Sequence, residues 1–214
     1  MVKWLSKLLE ELHWNGSLQE YLDNVVANPK VTRSSFERLY DMILSHGTDK
    51  YVEFKKEITT YSFFSDPNIA GRDAIFGLEV ALMKLVNIFK AAAQRYGPER
   101  RVLLLHGPVG SAKSTIVRRL KKGIEHYSRT PEGMLFTYGW CLDLEREPRR
   151  YIPCPMHEDP LHLVPQGMRE ELIAQINAMT ETDYEVSIEG SLCPFCRRNY
   201  DELQKRYNGD WIRI

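Results

Sequence analysis

The chain has 214 residues, 43% hydrophobic and 27% charged, the make-up of a globular protein long enough for one or two cores. Lys plus Arg number 29 and Asp plus Glu 29, so the formal net charge is zero and gives no argument for a nucleic-acid partner or an anionic membrane. No run approaches the roughly 18–20 apolar residues of a transmembrane helix, the acid-bearing N-terminus lacks a signal-peptide pattern, and in the cytoplasm, the default compartment, four cysteines argue against a disulfide framework.

In chain order, Leu5, Leu8, Leu9 and Leu12 fall on one helical face, and Asn15-Gly16 breaks the pattern. Ser17 with Glu20 forms a capping box for a helix carrying Leu18, Tyr21, Leu22, Val25 and Val26, which Asn28-Pro29 ends. Ser34 with Glu37 forms a second box. Phe36, Leu39, Tyr40, Ile43 and Leu44 predict the buried stripe of that helix, and Gly47 its stop. The aromatic stretch 51–70 reads as a strand or packed connector. Asp73 to Tyr96 predicts a long helix closed by Gly97-Pro98 and apolar around much of its circumference, so buried on more than one side.

That helix leads into the most informative stretch, residues 101–115. Val102–Leu105 predicts a strand, a turn of small residues follows, and after Lys113-Ser114 the pattern is helical. Strand, loop and helix in this order form a phosphate-binding loop, whose consensus is Gly, four residues, Gly, Lys, then Ser or Thr. Gly107, Lys113 and Ser114 match, with Pro108, Val109, Gly110 and Ser111 between, and Ala112 stands at the second glycine. The loop backbone can cradle a β-phosphate while the following helix points its positive end at the anion. Lys113 can reach the β- and γ-phosphates, the Ser114 hydroxyl can hold Mg²⁺, and Thr115 continues the site. A Cβ at position 112 is expected to require φ below zero. The basic run Arg118-Arg119-Leu120-Lys121-Lys122 on the helix predicts a solvated face.

Beyond the helix, Met134–Trp140 predicts a strand. A proline-dense stretch from Pro148 to Pro165 cannot be regular throughout. Helices are expected over 168–179 and from Cys193 to Tyr207, a short strand over 184–188, and a strand start at Trp211–Ile214. Cys154-Pro-Met-His157 and Cys193-Pro-Phe-Cys196 together offer four N/S ligands, the number a tetrahedral structural Zn²⁺ takes. Small buried thiols with a surface histidine, or a redox pair, are the alternatives. Cys141 has no partner pattern. The acidic strand end that a P-loop ATPase uses to organise Mg²⁺ is not found: Trp140-Cys141-Leu142-Asp143, with Glu145 beyond, is the nearest run. No arginine finger can be recognised. With only two or three countable parallel strands, the chain is expected to be the N-terminal fragment of a longer protein, the alternative being a degenerate P-loop domain that binds without turnover.

Gly-Pro-Val-Gly-Ser-Ala-Lys-Ser at 107–114, Cys-Pro-Met-His-Glu-Asp-Pro-Leu-His-Leu-Val-Pro at 154–165 and Leu-Cys-Pro-Phe-Cys at 192–196 resemble the PrkA-type bacterial serine protein kinases. The resemblance covers residues 15–214. It implies the first part of an AAA-type ATPase domain that precedes a kinase-like domain, and a loop that accepts Ala at the position of Ala112. The fold class expected is therefore α/β, an incomplete AAA-type P-loop NTPase domain over 66–214 with a Cys/His-containing insertion at 150–200, preceded by a helical module and connector over 1–65. The function expected is ATP–Mg²⁺ binding for phosphoryl transfer to a protein serine, with no catalytic residue identifiable. An AAA-type remodelling ATPase and a non-catalytic nucleotide-binding fragment are the other readings. The partner expected is a serine-containing protein, with no membrane and no nucleic acid. AAA-type rings make a homo-oligomer a further expectation.

Overall fold

The structure is a computed structural model that describes residues 14–66, 71–141 and 151–210. In chain order it contains α1 (Leu18–Ala27), α2 (Ser35–Leu44), β1 (Thr48–Glu53), β2 (Lys56–Tyr61), α3 (Glu79–Ala93), α4 (Lys113–Tyr127), β3 (Gly139–Cys141), β4 (Tyr151–Pro153), α5 (Gln166–Met179) and α6 (Pro194–Arg206). Short 3₁₀ turns at Pro29–Thr32, Ser62–Ser65 and Pro160–Leu163 lie between them. The expected helix at Leu5–Leu12 and strand start at Trp211–Ile214 lie outside the described residues. The chain forms two compact units, one from the segments up to Thr32 and from Leu135 onward, the other from Arg33–Met134. Of the helices expected in the N-terminal module, α1 falls in the first unit and α2 in the second.

Both capping boxes are formed. Ser17 and Ser34 each accept a backbone N–H from the glutamate three residues on, at 3.3 Å, and that glutamate accepts the serine N–H at 2.7 Å. Each box satisfies two helix-end donors that have no intrahelical partner. The segment after α2 is a hairpin, with Thr48 opposite Tyr61 and Glu53 opposite Lys56. Phe54 and Lys55 turn it, both at positive φ (46° and 64°). Helix α3 begins at Glu79 rather than Asp73, because Gly77 at φ +71° interrupts the backbone first. It packs on both α2 and β2, as its broad apolar surface predicts.

The core of the Arg33–Met134 unit gathers Met42 and Ile43 from α2, Phe63 and Phe64, Leu82, Leu85, Val86 and Phe89 from α3, and Ile116 and Tyr127 from α4. Phe63 presses on α4 so closely that a Cβ at Gly123 would sit 2.6 Å from its ring. The basic run on α4 is only partly the solvated face predicted. Arg119 is buried and pairs with the fully buried Asp66, while its guanidinium lies over the Phe63 ring at 4.7 Å. Arg118 and Lys122 both reach Asp73, at 2.8 and 2.9 Å. At the far end of α4, Arg38 donates to Ser128 Oγ (2.8 Å) and the Gly133 carbonyl (2.6 Å), and Arg33 to Tyr127 Oη (3.1 Å). The helix that follows the Gly107–Ala112 segment is thereby held along its length.

The parallel strands expected from the sequence are not paired. Among the described residues both sheets are two-stranded and antiparallel, β1–β2 and β3–β4. Residues 102–106 still alternate out and in: Leu103 and Leu105 pack on the core, while Val102 and Leu104 are 95% and 83% exposed. The same alternation runs through 135–139. The period-two pattern is a property of the local sequence, whereas a strand is completed by ladder hydrogen bonds to a neighbour.

In the other unit, Tyr21, Val25, Val31, Leu161, Ile176 and Val186 form one cluster, with Tyr21 Oη donating to Asp159 at 2.7 Å. The strand expected at 184–188 makes no ladder. Instead the Asn177 side chain donates to the Val186 carbonyl (3.0 Å) and accepts its N–H (2.8 Å). Trp140, Tyr200, Leu203 and three cysteines form a second cluster.

Candidate functional site

Gly107 to Ala112 fold back on themselves before α4 begins. A Cβ on Gly107 would lie 2.8 Å from Ser111 Oγ, so glycine lets the loop close. Gly110 takes φ +83°. Ala112 also takes a left-handed conformation, φ +56° and ψ +11°, contrary to the negative φ expected. Its carbonyl accepts the Ile116 N–H at 2.8 Å, which opens the helix. The strain is about 1–2 kcal/mol for a residue with a Cβ.

Ala112 has no side-chain oxygen, so α4 starts without a side-chain cap. Its first N–H groups, which no helical carbonyl can reach, face an outside acceptor. Lys113 bends over the loop. Its Nζ donates to the carbonyls of Gly107 (2.8 Å) and Pro108 (2.6 Å) and to Ser111 Oγ (2.9 Å). An ammonium has three protons, and each has an acceptor here. Ser111 Oγ in turn donates to the Pro108 carbonyl at 2.8 Å. Ser114 and Val109 are exposed, and Thr115 is half-buried. All nine residues from Gly107 to Thr115 thus belong to one loop and one helix start. Beside them lies an open cleft of about 690 Å³, bordered by Leu105, Lys113, Ser114 and Val117 and, further along α4, by Arg118, Lys121, Lys122 and Glu125. Arg118 and Lys122 are already paired with Asp73, so the start of α4 and Lys113 are the parts of this cleft suited to an anion. Leu142, Asp143 and Glu145, the nearest approach to an acidic strand end, lie outside the described residues.

The second predicted constellation is brought together in part. Cys154, Cys193 and Cys196 are buried, and their sulfurs lie with a Glu158 carboxylate oxygen within 4.8 Å of one another. His157 does not join them. It sits exposed at φ +51°, its N–H closing a turn onto the Cys154 carbonyl at 3.1 Å. The turn carries the next residue inward instead. Glu158 Oε2 accepts from the Cys193 N–H and Tyr138 Oη, each at 3.1 Å, and lies 3.6 Å from Cys154 Sγ. Burial opposes its charge, but the Cys193 N–H, the Tyr138 hydroxyl and the Cys154 thiol hold the carboxyl below the usual range. Burial pushes the Cys196 thiol up to about 12 and, with the neighbouring thiols, keeps the Tyr138 phenol protonated as a donor. Trp140 Nε1 donates to Cys196 Sγ at 3.3 Å. The sequence pointed to the cysteines but not to Glu158, Tyr138 or Trp140. Glu158 adjoins His157, and only the turn geometry separates their roles. All four cysteines are free thiols, as the sequence predicts.

No helix among the described residues is long and apolar enough to cross a membrane. Comparison with known proteins bears out the resemblance. The family described as "PrkA AAA domain" matches residues 16–213. The chain is similar to the "ATP-dependent protease PrkA" of Bacillus subtilis (strain 168), 36% identical over 213 residues that cover 98% of this chain and 28% of that protein. It is similar to the "Serine/threonine kinase YeaG" of Escherichia coli (strain K12), 32% identical over 49% of this chain and 16% of that one. An "Uncharacterized protein in gldA 5'region" of Geobacillus stearothermophilus is 33% identical over 44% of this chain and 86% of its own length. The chain therefore spans 28% of the length of its Bacillus relative. No solved structure matches it. The loop from Gly107 to Ala112, and a family match that runs through it and through the cysteine cluster, lead to one assignment: the chain belongs to the PrkA AAA domain family.

Proposed function

We propose that this chain is the ATP–Mg²⁺-binding portion of a PrkA-type serine protein kinase. The observation that carries the reading is Lys113, whose ammonium already lies over the loop at the uncapped start of α4. The Gly107–Ala112 backbone would wrap the phosphates, Lys113 would exchange loop carbonyls for β- and γ-phosphate oxygens, and Ser114 would hold Mg²⁺, with Thr115 beside it. The metal neutralises charge on the transferring phosphoryl group. The Lys113 ammonium and the helix N–H groups would bind and orient the phosphates, with Leu105 and Val117 alongside. Phosphoryl transfer to a protein serine would use groups that the described residues do not supply.

The name of the Bacillus relative favours a second reading, in which nucleotide binding drives proteolysis, and an AAA-type remodelling ATPase would use the same loop. A protein partner fits all three readings. Binding is tested on this chain with a fluorescent ATP analogue and Mg²⁺. Lys113→Ala should weaken binding at least tenfold, and unchanged affinity would remove every nucleotide-based reading together. In a longer protein that contains this segment, transfer of γ-phosphate to serine supports the kinase. ATP-dependent peptide-bond cleavage, or phosphate release alone, supports the alternatives.

A further inference from the structure

Three thiols and a carboxylate do not collect in a protein interior for packing alone. The Glu158 carboxylate is partly buried, where a charge is costly unless it is paired or hydrogen-bonded, and one of its oxygens is turned toward Cys154 Sγ. Cys154 and Cys196 are fully buried, and Cys193 is nearly so. Cys193 caps α6, with Cys196 in the first turn behind it, its N–H directed at Cys193 Sγ at 3.5 Å. The two-residue spacing thus becomes a knuckle on a helix N-terminus, where negative charge is favoured. Around the cluster stand donors suited to thiolates and a carboxylate: the Trp140 indole N–H on Cys196, the Tyr138 hydroxyl on Glu158, and the Cys193 N–H on Glu158. Outer donors of this kind orient metal ligands and spread their charge.

We infer that Cys154, Cys193, Cys196 and Glu158 form a tetrahedral site for Zn²⁺, with Glu158 in the place that sequence spacing assigns to His157. For Zn–S near 2.3 Å and Zn–O near 2.0–2.2 Å, the ligand edges of a tetrahedron are about 3.8 Å between sulfurs and about 3.5 Å from sulfur to oxygen. The Cys154–Glu158 edge, at 3.6 Å, already has that length. The longest separation in the group, at most 4.8 Å, must shorten by about 1 Å, within reach of a small χ1 rotation at a cysteine. Three soft thiolates select zinc over Mg²⁺ or Ca²⁺. Binding would displace the thiol protons to solvent and leave a closed site with no position for a substrate. The metal would join the turn after β4 to the start of α6, tying two segments that lie far apart in the sequence.

The test uses the full 214-residue chain. Elemental analysis of the purified protein should give about one zinc per chain, and Co²⁺ substitution should give the intense thiolate-to-metal absorption of a sulfur-rich tetrahedral site. His157→Ala should keep zinc. Glu158→Gln should lower zinc affinity at least tenfold in competition with a chromophoric chelator. Because replacing a buried cysteine also removes core packing, native thiol reactivity supplies a second measurement. Cys154, Cys193 and Cys196 should be protected from an aromatic disulfide reagent while zinc is bound, and should react after chelation. A wild-type chain that neither contains nor takes up zinc, with thiol protection indifferent to chelator, would overturn the site. Loss of zinc in His157→Ala with retention in Glu158→Gln would overturn the assignment of Glu158.

Discussion

Ala112→Gly should stabilise the protein, although it replaces a helix-favouring residue with the most flexible one. Ala112 holds φ +56° and ψ +11° at the start of α4, a conformation that costs a residue with a Cβ about 1–2 kcal/mol. Glycine adopts it freely. Against this stands the greater entropy of glycine in the unfolded chain, about 0.4–1 kcal/mol. The balance favours glycine by about 0.5–1 kcal/mol. The position caps the helix rather than lying inside it, so no helix-interior penalty is added. In a chain of this length that corresponds to a rise of about 1–4 °C in Tm, or a matching rise in urea midpoint at constant m-value. Ala112→Val should move the other way and by more, since a β-branched residue tolerates positive φ least. Urea unfolding followed by circular dichroism reads both. A destabilised Ala112→Gly, or a valine variant as stable as the parent, would show that the loop does not hold a left-handed residue there.

Asp66→Ala should cost about 3–5 kcal/mol in the same assay, because it strands the Arg119 guanidinium in the interior, whereas the joint replacement Asp66→Leu with Arg119→Met should cost much less. Ser34→Ala should cost about 1 kcal/mol through loss of its cap on the Glu37 N–H. Lys122 first, and then Arg118, hold the Asp73 carboxyl below the usual aspartate range. A depressed folded pKa stabilises the protein above the unfolded value near 3.9 and is lost as pH falls through the folded one. Urea midpoints measured from pH 6 downward should therefore fall less steeply on the acid side for Asp73→Asn than for the parent.

The sequence announces what is local. Each capping box needs only a serine and a glutamate three residues apart, so both helix starts could be read directly. The turn from Gly107 to Ala112 and the helix start after it were legible for the same reason: the residues that shape them lie within a few positions of one another. What depends on distant partners could not be read. Arg119 looks like part of a solvated basic run until Asp66, far earlier in the chain, folds beneath Phe63 to meet it. Val102–Leu105 has the alternation of a strand, but the neighbour that completes a strand leaves no mark on the segment itself. The hairpin at Phe54-Lys55 lacked the glycine or asparagine that usually signals such a turn. The cysteines announced a cluster, and only the turn at His157 decided which neighbour would enter it.

One side chain beside the Tyr184–Ile188 segment would also make chemical ageing visible there. Asn177 offers Val186 a donor and an acceptor on a single rigid plane, and so stands in for a neighbouring strand. Alanine presents neither group, serine has only one atom with which to serve both, and aspartate has no donor when ionised. Slow hydrolysis of that amide during storage would set a carboxylate against the Val186 carbonyl, turning an attraction into a repulsion. The damage would add a single unit of mass and leave the helices intact, so it would first be read as faster amide exchange at Val186 in old preparations.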